Sequence, residues 1–146
     1  MNQPIYEIQF SEFDQIYTFI SEGKQGKILK MVRFQEIDES MVNLGFGDFI
    51  QSTWQVDDKV VSDNGDMVKV LATVLEILDI FLNENPEISV FITGSSPSRV
   101  RLYHIAITTN FSLLSKKYLI SGFREGNWEG FQKNISYEAF LVQKLF

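Results

Sequence analysis

A chain of 146 residues with a net charge of −6 and 45% hydrophobic residues has the size and balance of one folded domain, which sets aside the disordered, collagenous and coiled-coil classes. The acidic balance argues against general affinity for nucleic acid or an anionic membrane, since both need excess Lys and Arg. With no cysteine, disulfides, thiol nucleophiles and thiolate metal sites are all excluded.

The chain starts MNQPIYEIQF, without a basic start leading into an apolar run, so no signal peptide is expected and a cytoplasmic location is the default. In residues 6–10, Tyr6, Ile8 and Phe10 alternate with polar neighbours, as in a strand. Residues 16–20 and 27–37 are rich in β-branched and aromatic side chains and predict two further strands. Between them EGKQGK supplies Gly23 and Gly26, which take the positive φ of a hairpin loop without strain. Residues 41–50 alternate most clearly. Val42, Leu44 and Phe46 share one face, while Asn43, Gly45 and Gly47 leave the other nearly bare, a pattern of bulges, bends or close approach by a backbone or ligand.

Residues 51–65 form a connecting excursion closed by Asn64-Gly65. A helix is predicted over 66–84, capped by Asp66 or Asn64. Its polar residues Asp66, Lys69, Thr73, Glu76, Asp79 and Asn83 trace a narrow stripe on an otherwise apolar, largely buried cylinder. Pro86 ends it, because the residue before proline is pushed out of the α region. The apolar part of this segment is too interrupted for a membrane span. Residues 88–93 predict a buried strand. For 97–110 the signals conflict: Pro97 after Ser96 is a helix start, whereas IAITT favours extension; a shorter helix is the preferred assignment. Residues 118–132 predict a hairpin turning at REGN, and YEAFLVQKLF docks as strand or helix. The sum is an α+β fold, a mainly antiparallel curved sheet of about six to eight strands packed against one long buried helix and one shorter helix, in a single domain spanning 1–146.

Four stretches, LGFGD (44–48), DNGDMVKVLATV (63–74), GSSPSRVRLY (94–103) and YEAFLV (137–142), resemble an uncharacterised family of small single-domain bacterial proteins, a domain of unknown function. The resemblance spans nearly the whole chain and rests on Gly94, Ser95, Ser96, Pro97, Arg99, Arg101, Leu102 and Tyr103. It implies a single-domain, bacterial, cytosolic protein and carries no activity onto any residue.

The segment 94–103 is the strongest candidate site. Free backbone N–H groups at a helix start, two hydroxyls and two guanidinium groups suit a phosphate or carboxylate, so Ser95, Ser96, Arg99, Arg101 and Tyr103 form the expected anion-recognising patch. It has neither the Walker lysine nor a GxGxxG after a first strand. The plainer alternative is that Ser96 caps the helix and the arginines pair with some of the nineteen Asp and Glu residues. His104, the only histidine, is either a proton carrier beside a bound anion or a half-buried side chain satisfied by its neighbours.

Asp57, Asp58, Asp63 and Asp66 form an acidic cluster without the EF-hand spacing, so turn and capping roles are preferred to a metal. No GxSxG elbow is present. Trp54, Trp128 and Phe49 fall in or beside predicted loops, where exposed aromatics serve protein interfaces or, less suitably in an acidic chain, unpaired bases. The functional expectation is a non-enzymatic binding or interaction module needing no cofactor and no metal. Its partner would be a small anionic ligand or a protein, with a homodimer as a third option. The alternative is a small phosphodiester-acting or toxin-like enzyme using Arg99, Arg101, Tyr103 and His104.

Overall fold

In the computed structural model, residues 4–13, 15–50, 55–57, 64–94 and 96–145 are described. The N-terminal strands form a meander: β1 (Gln9–Ser11), β2 (Ile16–Gly23), β3 (Gly26–Glu36) and β4 (Met41–Ile50), each antiparallel to the one before. The first strand begins later than the alternation from Tyr6 suggests. Tyr6 is instead held off the sheet, where its backbone N–H donates to Thr73 Oγ1 at 3.0 Å. The β2–β3 turn forms as expected, with Gly23 opposite Gly26 and Gly26 at φ 89°.

A short strand β5 (Gln55–Asp57) precedes α1 (Met67–Glu84), then come β6 (Ser89–Ile92), α2 (Pro97–Leu114), the hairpin β7 (Tyr118–Arg124) and β8 (Asn127–Gly130), and β9 (Ala139–Lys144). The sheet order is β1-β2-β3-β4-β6-β9-β7-β8, with β5 paired to β4; among the described residues only the β4–β6 pairing is parallel. Eight strands thus make the continuous path and β5 adds a ninth. The fold is α+β, a mostly antiparallel open sheet with two helices among the described residues. The C-terminal tail is a strand inserted between β6 and β7, which buries Phe140 and Val142. The β7–β8 turn has both central residues at positive φ, Glu125 at 52° and Gly126 at 80°, matching the twist of the flanking strands.

Both helices cover the same face. Leu44 on β4 and Ile92 on β6 meet Leu71, Val74, Leu75 and Leu78 of α1 and Tyr103, Ala106 and Ile107 of α2 around one small apolar gap. The register places Val42, Leu44 and Phe46 opposite Glu36, Phe34 and Val32, and Phe34 stacks on Phe81 of α1 with centroids 4.0 Å apart. Burying aromatic and aliphatic side chains at about 25 cal/mol per Å² is the main drive for this layer. The opposite face carries Ile20, Leu29, Leu119 and Trp128, all exposed.

Part of the polar stripe of α1 is covered, although Asn83 at its end is exposed. Thr73 is fully buried, donating to the Lys69 carbonyl at 2.7 Å while accepting from Tyr6. Asp79 accepts hydrogen bonds from Lys117 and from the Tyr118 hydroxyl at the start of β7. Asp66 occupies the cap position, yet its carboxylate makes no capping bond; it accepts from Tyr6 Oη and Ser21 Oγ, each at 2.5 Å. Asn64 donates to Ser21 Oγ and to the Gly26 carbonyl and accepts from Gln25 N at 2.6 Å. These residues bolt the start of α1 to the β2–β3 turn, so the Asn64-Gly65 signal marks a tertiary joint as well as a turn.

Candidate functional site

The segment 94–103 leads from the end of β6 into the first turns of α2. Ser96 is extended (φ −149°, ψ 159°) and its side chain accepts from Arg99 N at 3.3 Å, with Pro97 at the first helical position. This cap overrides the extended preference of IAITT, and α2 runs on to Leu114, making it as long as α1 at 18 residues. No acidic side chain occupies its first turn, so no residue of the helix itself offsets the positive end of its dipole.

Residues two apart on a helix point about 200° apart. Arg99 and Arg101 are accordingly separated. Arg99 turns inward and is only 5% exposed, its guanidinium carbon 5.5 Å from the centre of the Phe46 ring. Gly94 makes room for it, since a Cβ there would meet Arg99 Cβ at 2.7 Å and Val100 N at 2.8 Å. Tyr103, one turn further on, is also buried. Together with Asn43, Gly45, Phe46, Thr93 and Gly94, Arg99 and Tyr103 line a crevice of about 180 Å³. Its origin is topological. One edge of β4 pairs with β6 at Met41–Asn43 and with β5 at Asp48–Ile50, leaving 44–47 between the two ladders. Gly45 borders the crevice through its backbone; its bare side lies on the helix-free face, where an added Cβ would meet only the Arg33 carbonyl, at 3.7 Å.

Arg101 turns outward and is exposed. Among the described residues it enters no ion pair and no hydrogen bond. It lines a larger groove of about 800 Å³ between α2 and the segment entering β9, with Ser96, Pro97, Val100, His104 and Ile105 on one wall and Ser136, Tyr137 and Glu138 on the other. The expected patch is therefore divided: Ser96 and Arg101 belong to the groove, and Arg99 and Tyr103 to the crevice. Ser95 lies outside the described residues.

His104 sits in the groove wall, its ring 5.1 Å from Phe131 and 6.2 Å from both Tyr137 and Phe140. Its Nδ1 is 3.4 Å from Thr108 Oγ1, while Nε2 is buried and has no hydrogen-bond partner among the described residues. Opposite it, Tyr137 is anchored. Its hydroxyl donates to Glu129 Oε2 at 3.0 Å and accepts from Gln132 N at 3.0 Å. Burial raises the Tyr137 phenol above its ordinary range, and the Glu129 carboxylate adds to this against the opposing Gln132 N–H. Glu129 is held below the ordinary carboxylate range, chiefly by its hydrogen bond from Arg124 at 2.7 Å.

The groove wall formed by Ser136, Tyr137 and Glu138 was not legible as a site in the sequence. Those residues lie more than thirty positions from Arg101, and the apolar tail announced only that it would dock. Of the acidic cluster, Asp58 and Asp63 lie outside the described residues, as does the side chain of Asp57, and Asp66 is committed to Tyr6 and Ser21. Among the described residues no group of three or more His, Asp or Glu could hold a metal ion. Trp54 and the Phe49 side chain also fall outside. Trp128 is half exposed on the helix-free face, beside Phe123 at 5.1 Å and Phe91 at 6.1 Å.

Fold and site together define an α+β protein with an open groove beside the start of its second helix. Among the described residues no helix is long and apolar enough to cross a membrane. The chain belongs to a family of unknown function (DUF6934), matched over residues 2–145. No curated protein and no solved structure matches it.

Proposed function

We propose that this chain is a non-enzymatic binding module whose groove beside α2 receives the anionic group of a small ligand. The observation that carries this reading is Arg101, an exposed guanidinium without an ion pair among the described residues, on the wall of a groove of about 800 Å³ that also receives the capped start of α2. Ligand pockets commonly fall in this size range. A helix N-terminus offers backbone N–H groups and partial positive charge, and a guanidinium fork matches carboxylate or phosphate oxygens. Ser96 and Arg101 are the proposed contacts in the groove, with Ser95 between Gly94 and Ser96 as a third donor; Arg99 and Tyr103 hold the helix start in place from the crevice side. A bacterial, cytoplasmic setting accords with the chain's lack of cysteine and its family resemblance.

The phosphodiester alternative needs Arg99, Tyr103, Arg101 and His104 around one substrate. They face two separate cavities, which favours binding over that chemistry. The test is an NMR titration with inorganic phosphate. Amides of Ser96, Arg101 and His104 are expected to shift, and Arg101→Ala to lose the shifts while keeping a folded spectrum; no shift in the unaltered protein with phosphate or with a carboxylate-bearing peptide would discard the reading.

A second reading rests on a different observation. Trp128, Leu119, Phe123 and Phe91 present apolar surface on the helix-free face, and Trp128 lies on the edge strand β8. Such a patch suits pairing with a protein, including a second copy of the chain. Sedimentation at several concentrations tests the homodimer, and concentration-independent monomer behaviour rules it out.

A further inference from the structure

The groove holds charges of both signs. Glu138 lines it together with Arg101, yet no ion pair joins the two, and neither pairs with any other described residue. Opposite charges that share a small concave space would ordinarily close on each other if their backbones allowed it. Here the two charged groups do not meet. Glu138 is fixed at the β6 end, where its carbonyl accepts from Thr93 Oγ1 at 3.1 Å and its N–H donates to the Phe123 carbonyl at 2.8 Å. Arg101 stands four residues up the helix from Pro97, about 6 Å along the axis. Pro97, Val100, Ile105 and the ring of Tyr137 add apolar surface to the groove, beside the polar Ser96, His104 and Ser136.

From this arrangement we infer that the ligand is an ampholyte: a short peptide of two or three residues whose carboxylate meets Arg101 and whose ammonium group meets Glu138. The inference rests on the anion-binding reading above and narrows its ligand. A ligand bearing only an anion is attracted by Arg101 and repelled by Glu138, so the groove penalises it; one bearing both charges satisfies both walls. An extended dipeptide spans at most about 7 Å, short enough to lie within the groove. Its apolar side chains lie against Pro97, Val100 and Ile105. Tyr137 is held in place from behind by Glu129 and Gln132, so that wall is ready before the ligand arrives.

The test compares the dipeptide Ala-Phe with its N-acetylated form by NMR titration and calorimetry on the full chain, with inorganic phosphate alongside. Ala-Phe is expected to bind about tenfold tighter than the N-acetylated form, the worth of one charge-assisted hydrogen bond. Glu138→Gln is expected to remove that difference while retaining the N-acetylated ligand, and Arg101→Ala to weaken both. Both side chains are exposed, so neither variant is expected to disturb folding. If the N-acetylated peptide binds as well as Ala-Phe, the ampholyte inference is overturned and anion binding stands. If phosphate shifts the groove amides but neither peptide binds, the ampholyte is again overturned. If phosphate and both peptides leave the spectrum unchanged, both readings fall together.

Discussion

The ring of Tyr137 occupies the space that a side chain on Gly122 would need: a Cβ built at Gly122 would stand 2.4 Å from Tyr137 Cδ1. Gly122 lies in β7 opposite Phe140 of β9, so the strand leaves a notch in which the groove-wall tyrosine rests. Gly122→Ala is expected to destabilise the fold by roughly 1–3 kcal/mol through overpacking and to push Tyr137 into the groove. Chemical denaturation measures the first effect. The second appears as weakened ligand binding beyond that of Tyr137→Phe, which keeps the ring and loses the hydroxyl's bonds to Glu129, Gln132 and the Gly130 carbonyl.

Arg99→Ala and Arg101→Ala should behave as opposites although the residues are two apart. Arg99 is buried over Phe46 and against Gly94, so its loss removes packing as well as charge, and a stability cost of about 1–3 kcal/mol is expected. Arg101 is exposed, and its loss should change stability by less than about 0.5 kcal/mol while abolishing phosphate shifts. Thermal melts of the two variants side by side decide this; equal melting temperatures would refute the assigned division of labour.

Gly94→Ala tests the same joint from the other side. The inserted methyl would meet the backbone N of Val100, which cannot rotate away, so the start of α2 must shift. A loss of about 1–3 kcal/mol is expected, with amide shifts concentrated in the first two turns of α2. A variant as stable as the parent would show that the approach of Arg99 to Gly94 is looser than described.

Asp79 gives a pH signature. Burial pushes its carboxyl up, but hydrogen bonds from Lys117 and Tyr118, with the charge of Lys117, outweigh this and leave it below the ordinary value of 3.8. A carboxyl depressed in the folded state contributes stability that is fully present above the unfolded value and is lost as pH falls through the folded one. Asp79→Asn should therefore cost about 1–3 kcal/mol at pH 7, with the deficit constant down to about pH 5 and closing below about pH 4. A deficit independent of pH between 7 and 2 would show that the charge is not what matters. Burial also raises the Tyr118 phenol, and neighbouring Asp79 adds to the rise, so this contact involves a neutral hydroxyl donating to a carboxylate.

Much of the fold was legible because its signals are local. Alternation marked β4 and its inner face of Val42, Leu44 and Phe46; the paired glycines placed the β2–β3 turn; Pro86 and Pro97 bounded the helices. Where local signals conflicted, capping decided: Ser96 and Pro97 made a helix of a β-branched stretch. The register of Tyr6 was misleading, since its alternation belongs to a segment held against α1 by Thr73 and Asp66 rather than to β1.

By itself, then, the sequence determined the α+β class, the acidic and cysteine-free character of the surface and interior, and the helix start at Ser96. These follow from backbone preferences and hydrophobic periodicity, which act over a few residues. Only the tertiary structure decided that β9 enters the middle of the sheet, that Thr73 and Asp79 of α1's polar stripe are engaged by Tyr6 and Tyr118, and that the two arginines face different cavities. Those outcomes depend on which surfaces meet across long stretches of chain, and a helical turn of about 200° between residues 99 and 101 becomes a functional division only once something stands on each side of it.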